Sequence, residues 1–126
     1  MAVPLFDTAT PLAPLHDELL SAVTRVVDSG RFILGPEVQS FERELADYLG
    51  CREAIGVGNG TDAITIALRA LGVGPGDEVV VPSFTFYASA EAIQPTGARP
   101  VFCDIDPETY CVTPETVKAV LTPHTK

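Results

Sequence analysis

Apolar residues recur at helical spacing in two segments of the first fifty residues. The spacing predicts an amphipathic helix over residues 15–27, ended by Gly30, and a second that begins at Pro36 and is ended by Gly50. Proline suits the first position of a helix, because the N–H it lacks has no intrahelical acceptor there. Residues 1–14, which contain three prolines, are expected to form an extended arm.

From residue 51 onward, short apolar strands alternate with helices. Strands joined through helical crossovers are parallel, with helices on both faces of the sheet, so the predicted fold class is α/β. The tail, residues 122–126, is expected to be a loop. The expected elements are a strand over 54–57, a helix over 61–71, a strand over 78–81, a helix over 87–94, a strand over 100–104, and a last helix that Thr113 caps and Pro114 begins.

Three parallel strands make a small sheet whose last strand has an open edge. We therefore interpret residues 1–50 as an N-terminal arm with two helices, and residues 51–126 as the first, incomplete part of a larger α/β domain. On this interpretation the apolar faces of the two N-terminal helices are expected to be exposed, since the rest of the domain would cover them.

Charge and composition exclude several classes of function. Eight Lys and Arg stand against 17 Asp and Glu, a formal net charge of −9. Nucleic-acid phosphates and anionic membranes need clustered positive charge, so neither is an expected partner. No apolar run approaches the roughly 20 residues that span a bilayer, and the N-terminus lacks the charged region of a signal peptide.

The cysteines indicate a reducing compartment. Cys51, Cys103 and Cys111 are odd in number and lack the spacing of a metal site. We therefore expect no metal, no disulfide framework, a cytoplasmic location, and thiols buried as small apolar side chains.

A glycine-rich turn, Gly58-Asn59-Gly60-Thr61-Asp62, joins a predicted strand to a predicted helix. Glycine lets the backbone approach a ligand closely, and the first N–H groups of a helix form an anion site that phosphate commonly fills. The alternative is a turn capped by Asn59 or Thr61 without a ligand, and the spacing alone leaves both open. The turn lacks the Lys-Ser/Thr pair of a P-loop and the third glycine of the dinucleotide fingerprint.

A second segment, residues 81–90, follows the predicted strand 78–81 and lies at the same edge of the sheet as the glycine turn. It carries three aromatic residues and three serine or threonine residues, and an aromatic ring at this edge can stack on a flat cofactor. Pattern alone instead favours Phe84 and Phe86 as core residues beneath the sheet.

Six segments in this order resemble one known family, the DegT/StrS-type nucleotide-sugar aminotransferases, which depend on pyridoxal 5'-phosphate. The resemblance spans essentially the whole chain. The segments are residues 1–4, GRFILGPEV at 30–38, GNGTDA at 58–63, GPGDEV at 74–79, PSFTF at 82–86 and PVFCDID at 100–106.

The resemblance implies the fold type I architecture of pyridoxal-phosphate enzymes, of which this chain matches the N-terminal part of the large domain. It also implies a homodimer that moves an amino group from an amino acid, commonly glutamate, to a nucleotide-linked keto sugar. Gly60, Thr61 and Asp62 match the turn that holds the cofactor phosphate. Phe86 matches the aromatic residue that stacks on the pyridine ring, and a loop with Phe32 and Ile33 matches one near the substrate.

The lysine that this chemistry requires for a Schiff base matches no residue here, and the same holds for the family's ring-nitrogen aspartate. The two lysines, Lys118 and Lys126, fall on the last predicted helix and in the tail, while Asp104 and Asp106 are interpreted as structural. The catalytic residues are therefore unknown from this chain, which we interpret as an N-terminal fragment without transaminase activity of its own. Two alternatives stay open: a dehydratase of the same family, with histidine in place of the lysine, and an inactive or regulatory fragment.

Overall fold

The computed structural model describes residues 5–126, in two compact units, one up to Gly56 and one from Val57 to Lys126. Residues 1–4, which belong to the predicted arm and to the family resemblance, lie outside the described residues. None of the helices in the described part of the chain is long and apolar enough to cross a bilayer.

The arm is not extended throughout, as the prolines had led us to expect. Helix α1 covers Ala9–Leu12 and is followed by a 3₁₀ turn over Ala13–Leu15. The prolines at positions 11 and 14 fit because the N–H groups of a first helical turn have no intrahelical acceptor. The side chain of Asp7 accepts the Thr10 N–H at 3.1 Å, which stabilises the start of this segment.

The two predicted N-terminal helices are confirmed. Helix α2 covers His16–Ser29 and α3 covers Pro36–Leu49. Each ends at a glycine with left-handed backbone, Gly30 at φ 64° and Gly50 at φ 65°, which satisfies the last carbonyl groups of the helix. Their apolar faces are exposed as expected, with Val23 in α2 60% exposed and Tyr48 in α3 84% exposed.

The second unit contains a two-stranded parallel sheet with helices packed against it. Strands β1 and β2 pair in register from Glu78 with Arg99 to Pro82 with Cys103. Both strands, α4 and the last helix agree with the sequence pattern, whereas α5 is shorter than the predicted helix over 87–94. In chain order the elements are α4 (Gly60–Ala70), β1 (Glu78–Pro82), α5 (Tyr87–Glu91), a 3₁₀ turn (Gln94–Thr96), β2 (Arg99–Cys103) and α6 (Pro114–Lys118).

The predicted strand over residues 54–57 is wrong, since this segment has no strand pairing in the structure. The N–H of Gly56 donates to Oε1 of Glu42 in α3 at 2.7 Å. The backbone group that would join a sheet is thus bound to a side chain.

The tail, predicted as a loop, pairs with β1 instead. The Glu78 N–H donates to the carbonyl of His124 at 2.8 Å, and the Lys126 N–H donates to the carbonyl of Glu78 at 3.0 Å. This forms a parallel bridge between Glu78 and Thr125. The sheet is therefore extended by the last residues of the chain rather than by the segment before α4.

The core of the second unit is a cluster of Val73, Val81, Ile93 and Ala98, with Leu68, Val79 and Ala90 packed against it. This packing holds α4, α5 and β1 together and brings the residues that follow β1 close to the start of α4. The thiols are divided: Cys103 is buried as expected, but Cys51 and Cys111 are exposed.

Candidate functional site

Asn59 caps helix α4, which begins at Gly60. Its Oδ1 accepts the Asp62 N–H at 2.9 Å, and its Nδ2 donates to Oδ2 of Asp62 at 2.9 Å. The capped-turn alternative is therefore correct as far as Asn59 is concerned, and Thr61 is not the cap. The cap satisfies one of the N–H groups at this helix end and leaves open what the others bind.

The N–H groups of Gly60 and Thr61 have no acceptor among residues 5–126. A Cβ added at Gly60 would meet no atom within 4 Å, so the space beside this backbone is open. The helix dipole places partial positive charge at these two groups, and the Thr61 hydroxyl is a further donor. This helix end can therefore bind an anion even though it carries a side-chain cap.

Phe84 and Phe86 are not core residues, contrary to the expectation from pattern alone. Phe86 is 79% exposed and Phe84 is 65% exposed. Both follow Pro82, the last residue of β1, in the short connection that leads to α5. The ring of Phe84 packs on Tyr110 with centroids 5.6 Å apart. Phe86 is left with a ring available to a ligand.

One cavity of about 430 Å³ brings the glycine turn and Phe86 together. Three predicted site residues, Gly60, Thr61 and Phe86, line it. Ile64, an apolar residue of α4 that is 42% exposed, lines the cavity as well. The complete lining is Asn59, Gly60, Thr61, Ile64, Phe86, Ala88 and Ser89.

Three other predicted site residues are placed elsewhere. Asp62 is outside the lining, and its carboxylate is bound to Asn59. Phe32 and Ile33 belong to the other compact unit, where both are exposed. The next residue, Leu34, has a left-handed backbone with φ 49°, a strained conformation that is uncommon for a bulky residue. The substrate role of this loop stays a prediction.

Sequence reasoning did not select Ala88 and Ser89 as site residues. Ser89 lies three residues after Phe86 at the start of α5, and a hydroxyl at helical spacing from a candidate stacking residue is a usable signal in the sequence. This signal does not distinguish Ser89 by itself, because the segment also contains hydroxyl groups that lie outside the cavity, such as that of Ser83.

The remaining charged candidates lie outside the cavity lining. Asp106 accepts hydrogen bonds from the backbone N–H and the hydroxyl of Thr109, which hold the pKa of its carboxyl below the ordinary value. It therefore stabilises a turn, as the structural interpretation expected. Lys118 lies on α6, and Nζ of Lys126 lies 3.6 Å from Oδ1 of Asp77.

The cavity combines anion donors with an apolar flat surface. Two backbone N–H groups and a hydroxyl at the start of α4 suit the oxygens of a phosphate, and the exposed ring of Phe86 suits the face of an aromatic ring. A phosphate ester of a flat heterocycle, such as pyridoxal phosphate, fits this donor set.

Comparison with known proteins agrees with this chemistry. Residues 14–126 match the DegT/DnrJ/EryC1/StrS aminotransferase family. A relative, the UDP-N-acetyl-3-dehydro-alpha-D-glucosamine 3-aminotransferase of Acidithiobacillus ferrooxidans, is 46% identical over 125 residues, which is 99% of this chain and 34% of the relative. The chain thus spans about a third of the length of this curated relative.

Solved structures show the same relationship. DesV of Streptomyces venezuelae, in complex with a ketimine intermediate, matches with a TM-score of 0.92 and 44% identity over 98% of this chain and 33% of its own. NtdA of Bacillus subtilis, with bound cofactor PMP, matches with a TM-score of 0.82 and 41% identity over 87% of this chain and 25% of its own. The fold class is confirmed as α/β, corresponding to an N-terminal part of the aminotransferase fold. The chain belongs to the DegT/DnrJ/EryC1/StrS aminotransferase family.

Proposed function

We propose that this chain is the cofactor-anchoring N-terminal part of a pyridoxal-phosphate-dependent aminotransferase. The reaction moves an amino group from an amino acid, glutamate, to a nucleotide-linked keto sugar, in a cytoplasmic homodimer. Family membership supports amino transfer, the name of the Acidithiobacillus relative supports a nucleotide-linked sugar, and the PMP bound to NtdA supports the cofactor. Amino transfer is proposed over dehydration because both the family description and this relative name it.

The observation that carries the proposal is the cavity shared by the start of α4 and Phe86. The N–H groups of Gly60 and Thr61, with the Thr61 hydroxyl, would hold the phosphate, and Phe86 would lie against the pyridine ring. When bound, the cofactor supplies an electron sink for amino-group transfer. The residues of this chain bind and orient it, and the ring of Phe86 keeps water from the pyridine face it covers.

Residues 1–126 are proposed to bind the cofactor without turnover. Amino transfer requires a lysine at the cofactor, and neither Lys118 nor Lys126 lines the cavity. The lysine, the ring-nitrogen partner and most substrate contacts would come from residues that match other parts of the family. Asp62 is retained in the proposal as a residue that fixes Asn59, and so the shape of the turn.

Binding of pyridoxamine 5'-phosphate, compared with pyridoxamine, tests the proposal. Neither probe has an aldehyde, so neither reacts with the two lysines. In titrations followed by NMR, the phosphate form should bind at least about tenfold more tightly, because one charge-assisted hydrogen bond contributes about 1.5 kcal/mol or more. Thr61→Val should weaken the phosphate form more than pyridoxamine, whereas Phe86→Ala should weaken both by the same factor.

Phe84→Ala is the matched control, because Phe84 is also exposed but packs on Tyr110 outside the cavity lining. It should leave both affinities unchanged. Equal affinity for the two probes would overturn the phosphate anchor, and equal effects of Phe84→Ala and Phe86→Ala would overturn the stacking role. Formation of pyridoxamine 5'-phosphate from pyridoxal 5'-phosphate and glutamate by this chain would overturn the absence of turnover.

A further inference from the structure

We propose that the hydroxyl groups of Thr85 and Ser89 form a clasp that positions the ring of Phe86 on the cavity beside α4. This rests on the proposed function, and it assigns Thr85 and Ser89 as positioning residues rather than as groups that touch the cofactor phosphate. The clasp is the contact between Oγ1 of Thr85 and Oγ of Ser89, which lie 3.2 Å apart.

The clasp closes around the backbone of Phe86. Thr85 is the residue before Phe86, and Ser89 is three residues after it, in the first turn of α5. The Ser89 N–H also donates to the carbonyl of Phe86 at 3.0 Å. Phe86 is therefore enclosed between two residues whose side chains bond to each other, and one of them also bonds to its own carbonyl.

Helix α5 needs such a contact because Phe86 occupies its N-cap position and provides no side-chain hydrogen bond there. Ser, Thr, Asp and Asn are the residues that normally cap a helix, and apolar residues are poor replacements. A helix of five residues has little stability of its own. The hydroxyl contact between positions 85 and 89 ties the first turn of α5 to the residue that precedes its N-cap.

The ring of Phe86 also needs positioning because core packing does not fix it. Phe86 is exposed, and it lines a second cavity of about 410 Å³ in addition to the one beside α4. Thr85 borders only the second cavity and Ser89 only the first. The Phe86 ring therefore has free space on both sides when its rotamer changes. The clasp joins a residue at one cavity to a residue at the other, and it holds the backbone that sets the direction of the ring.

Binding of the two probes separates positioning from direct contact. Ser89→Ala and Thr85→Val should each weaken pyridoxamine 5'-phosphate and pyridoxamine about threefold to tenfold, the range expected for one neutral hydrogen bond, with their affinity ratio unchanged. On a Phe86→Ala background, Ser89→Ala should have no further effect. A lower ratio in Ser89→Ala would show that Ser89 binds the phosphate directly and would overturn the positioning role.

A measurement without ligand tests the clasp independently of cofactor binding. Three-bond couplings between Hα and Hβ of Phe86 report its χ1 populations. We expect one dominant rotamer in the parent and in Ser89→Thr, and averaged couplings in Ser89→Ala and Thr85→Val. Ser83→Ala, in the same connection, should retain the parent couplings and affinities. Parent-like couplings in Ser89→Ala would overturn the clasp, whereas equal parent affinity for both probes would overturn only the proposed function.

Discussion

The Thr122 hydroxyl donates a hydrogen bond to Oε2 of Glu78 at 2.6 Å, which joins the tail to the first residue of β1. Oε1 of the same carboxylate accepts a hydrogen bond from the Arg99 guanidinium in β2. Glu78 is only 5% exposed, and a buried carboxylate is tolerated only when such partners satisfy it. A single side chain thus connects the two strands and the tail.

Removal of the Glu78 charge should make the stability of the fold less dependent on pH in acid. The Thr122 hydroxyl and the Arg99 guanidinium lower the pKa of Glu78 below its ordinary 4.5 by more than burial raises it. Stability from this group is therefore fully present above pH 4.5 and is lost as pH falls through the lower, folded-state pKa. Glu78→Gln should be less stable than the parent at neutral pH, with the difference shrinking in acid, as measured by thermal unfolding across this range.

Glu108→Gln is the control for this measurement, since the Glu108 carboxylate has no hydrogen-bond partner within the described residues. It should follow the parent at every pH. A constant difference between Glu78→Gln and the parent across the acid range would show that the Glu78 charge does not support the fold.

Gly97 is expected to be intolerant of any side chain. Its backbone is left-handed at φ 83°, and an added Cβ would lie 2.8 Å from Cγ of Pro75 in the turn before β1. Alanine would therefore add backbone strain of about 1 kcal/mol and a further 1–3 kcal/mol of overpacking. Gly97→Ala should lower the free energy of unfolding by roughly 2–4 kcal/mol in urea titrations.

Gly72→Ala isolates the backbone contribution. Gly72 has a similar φ of 77°, but an added Cβ there would meet nothing within 4 Å. Its cost should be the strain alone, about 1 kcal/mol. Equal losses for the two variants would mean that the Pro75 ring moves aside at little cost.

Helices α2, α3, α4 and α6 could be predicted from the sequence because their signals are local, whereas α1 was missed in a segment rich in proline. Gly30 and Gly50 end α2 and α3 where the apolar spacing stops, and Thr113 caps α6 through a reciprocal pair of hydrogen bonds with Thr116. Each signal lies within a few residues of the boundary it sets.

Strand pairing could not be predicted in the same way because it depends on distant partners. Residues 54–57 have the composition of a strand, but Glu42 takes the N–H of Gly56. The tail has no strand pattern, yet it pairs with β1 through Glu78 and is held there by the Thr122 hydroxyl. Both outcomes are decided by side chains far away in the sequence.

Part of the candidate site could be predicted from local pattern, and part depends on contacts that the pattern does not show. The glycine turn at the start of a helix and an aromatic residue at the same sheet edge follow from local pattern and from parallel topology. The exposure of Phe86 does not follow from the sequence, because pattern alone predicts that an aromatic residue after a strand lies in the core. The side chain of Asn59 determines which N–H groups remain available at the start of α4. It accepts the Asp62 N–H and leaves the N–H groups of Gly60 and Thr61 without an acceptor among residues 5–126.

Asn59→Asp should separate the cap of α4 from its anion site. Asparagine and aspartate are equally good N-caps, but Asn59→Asp also replaces the bond from Nδ2 to Oδ2 of Asp62 with repulsion between two carboxylates. The substitution is therefore made in an Asp62→Asn background, where the unfolding free energy should change by less than about 0.5 kcal/mol from the cap itself. The added charge, however, lines the cavity beside the Gly60 and Thr61 N–H groups. Repulsion of about 1 kcal/mol should weaken pyridoxamine 5'-phosphate roughly fivefold at low salt and leave pyridoxamine unchanged.

Two further substitutions at this position separate the charge of the side chain from its capping role. Asn59→Ser keeps a neutral cap on the Asp62 N–H and loses only the exposed bond from Nδ2 to Asp62, so it should retain most of the stability and the phosphate affinity. Asn59→Ala removes the bond to the Asp62 N–H as well and should cost about 1 kcal/mol of stability. Because that bond does not involve the Gly60 and Thr61 N–H groups, Asn59→Ala should still prefer the phosphate form of the probe. If Asn59→Asp weakens both probes equally, or neither, the phosphate does not lie at the start of α4 and the anchor must be sought elsewhere in the family fold.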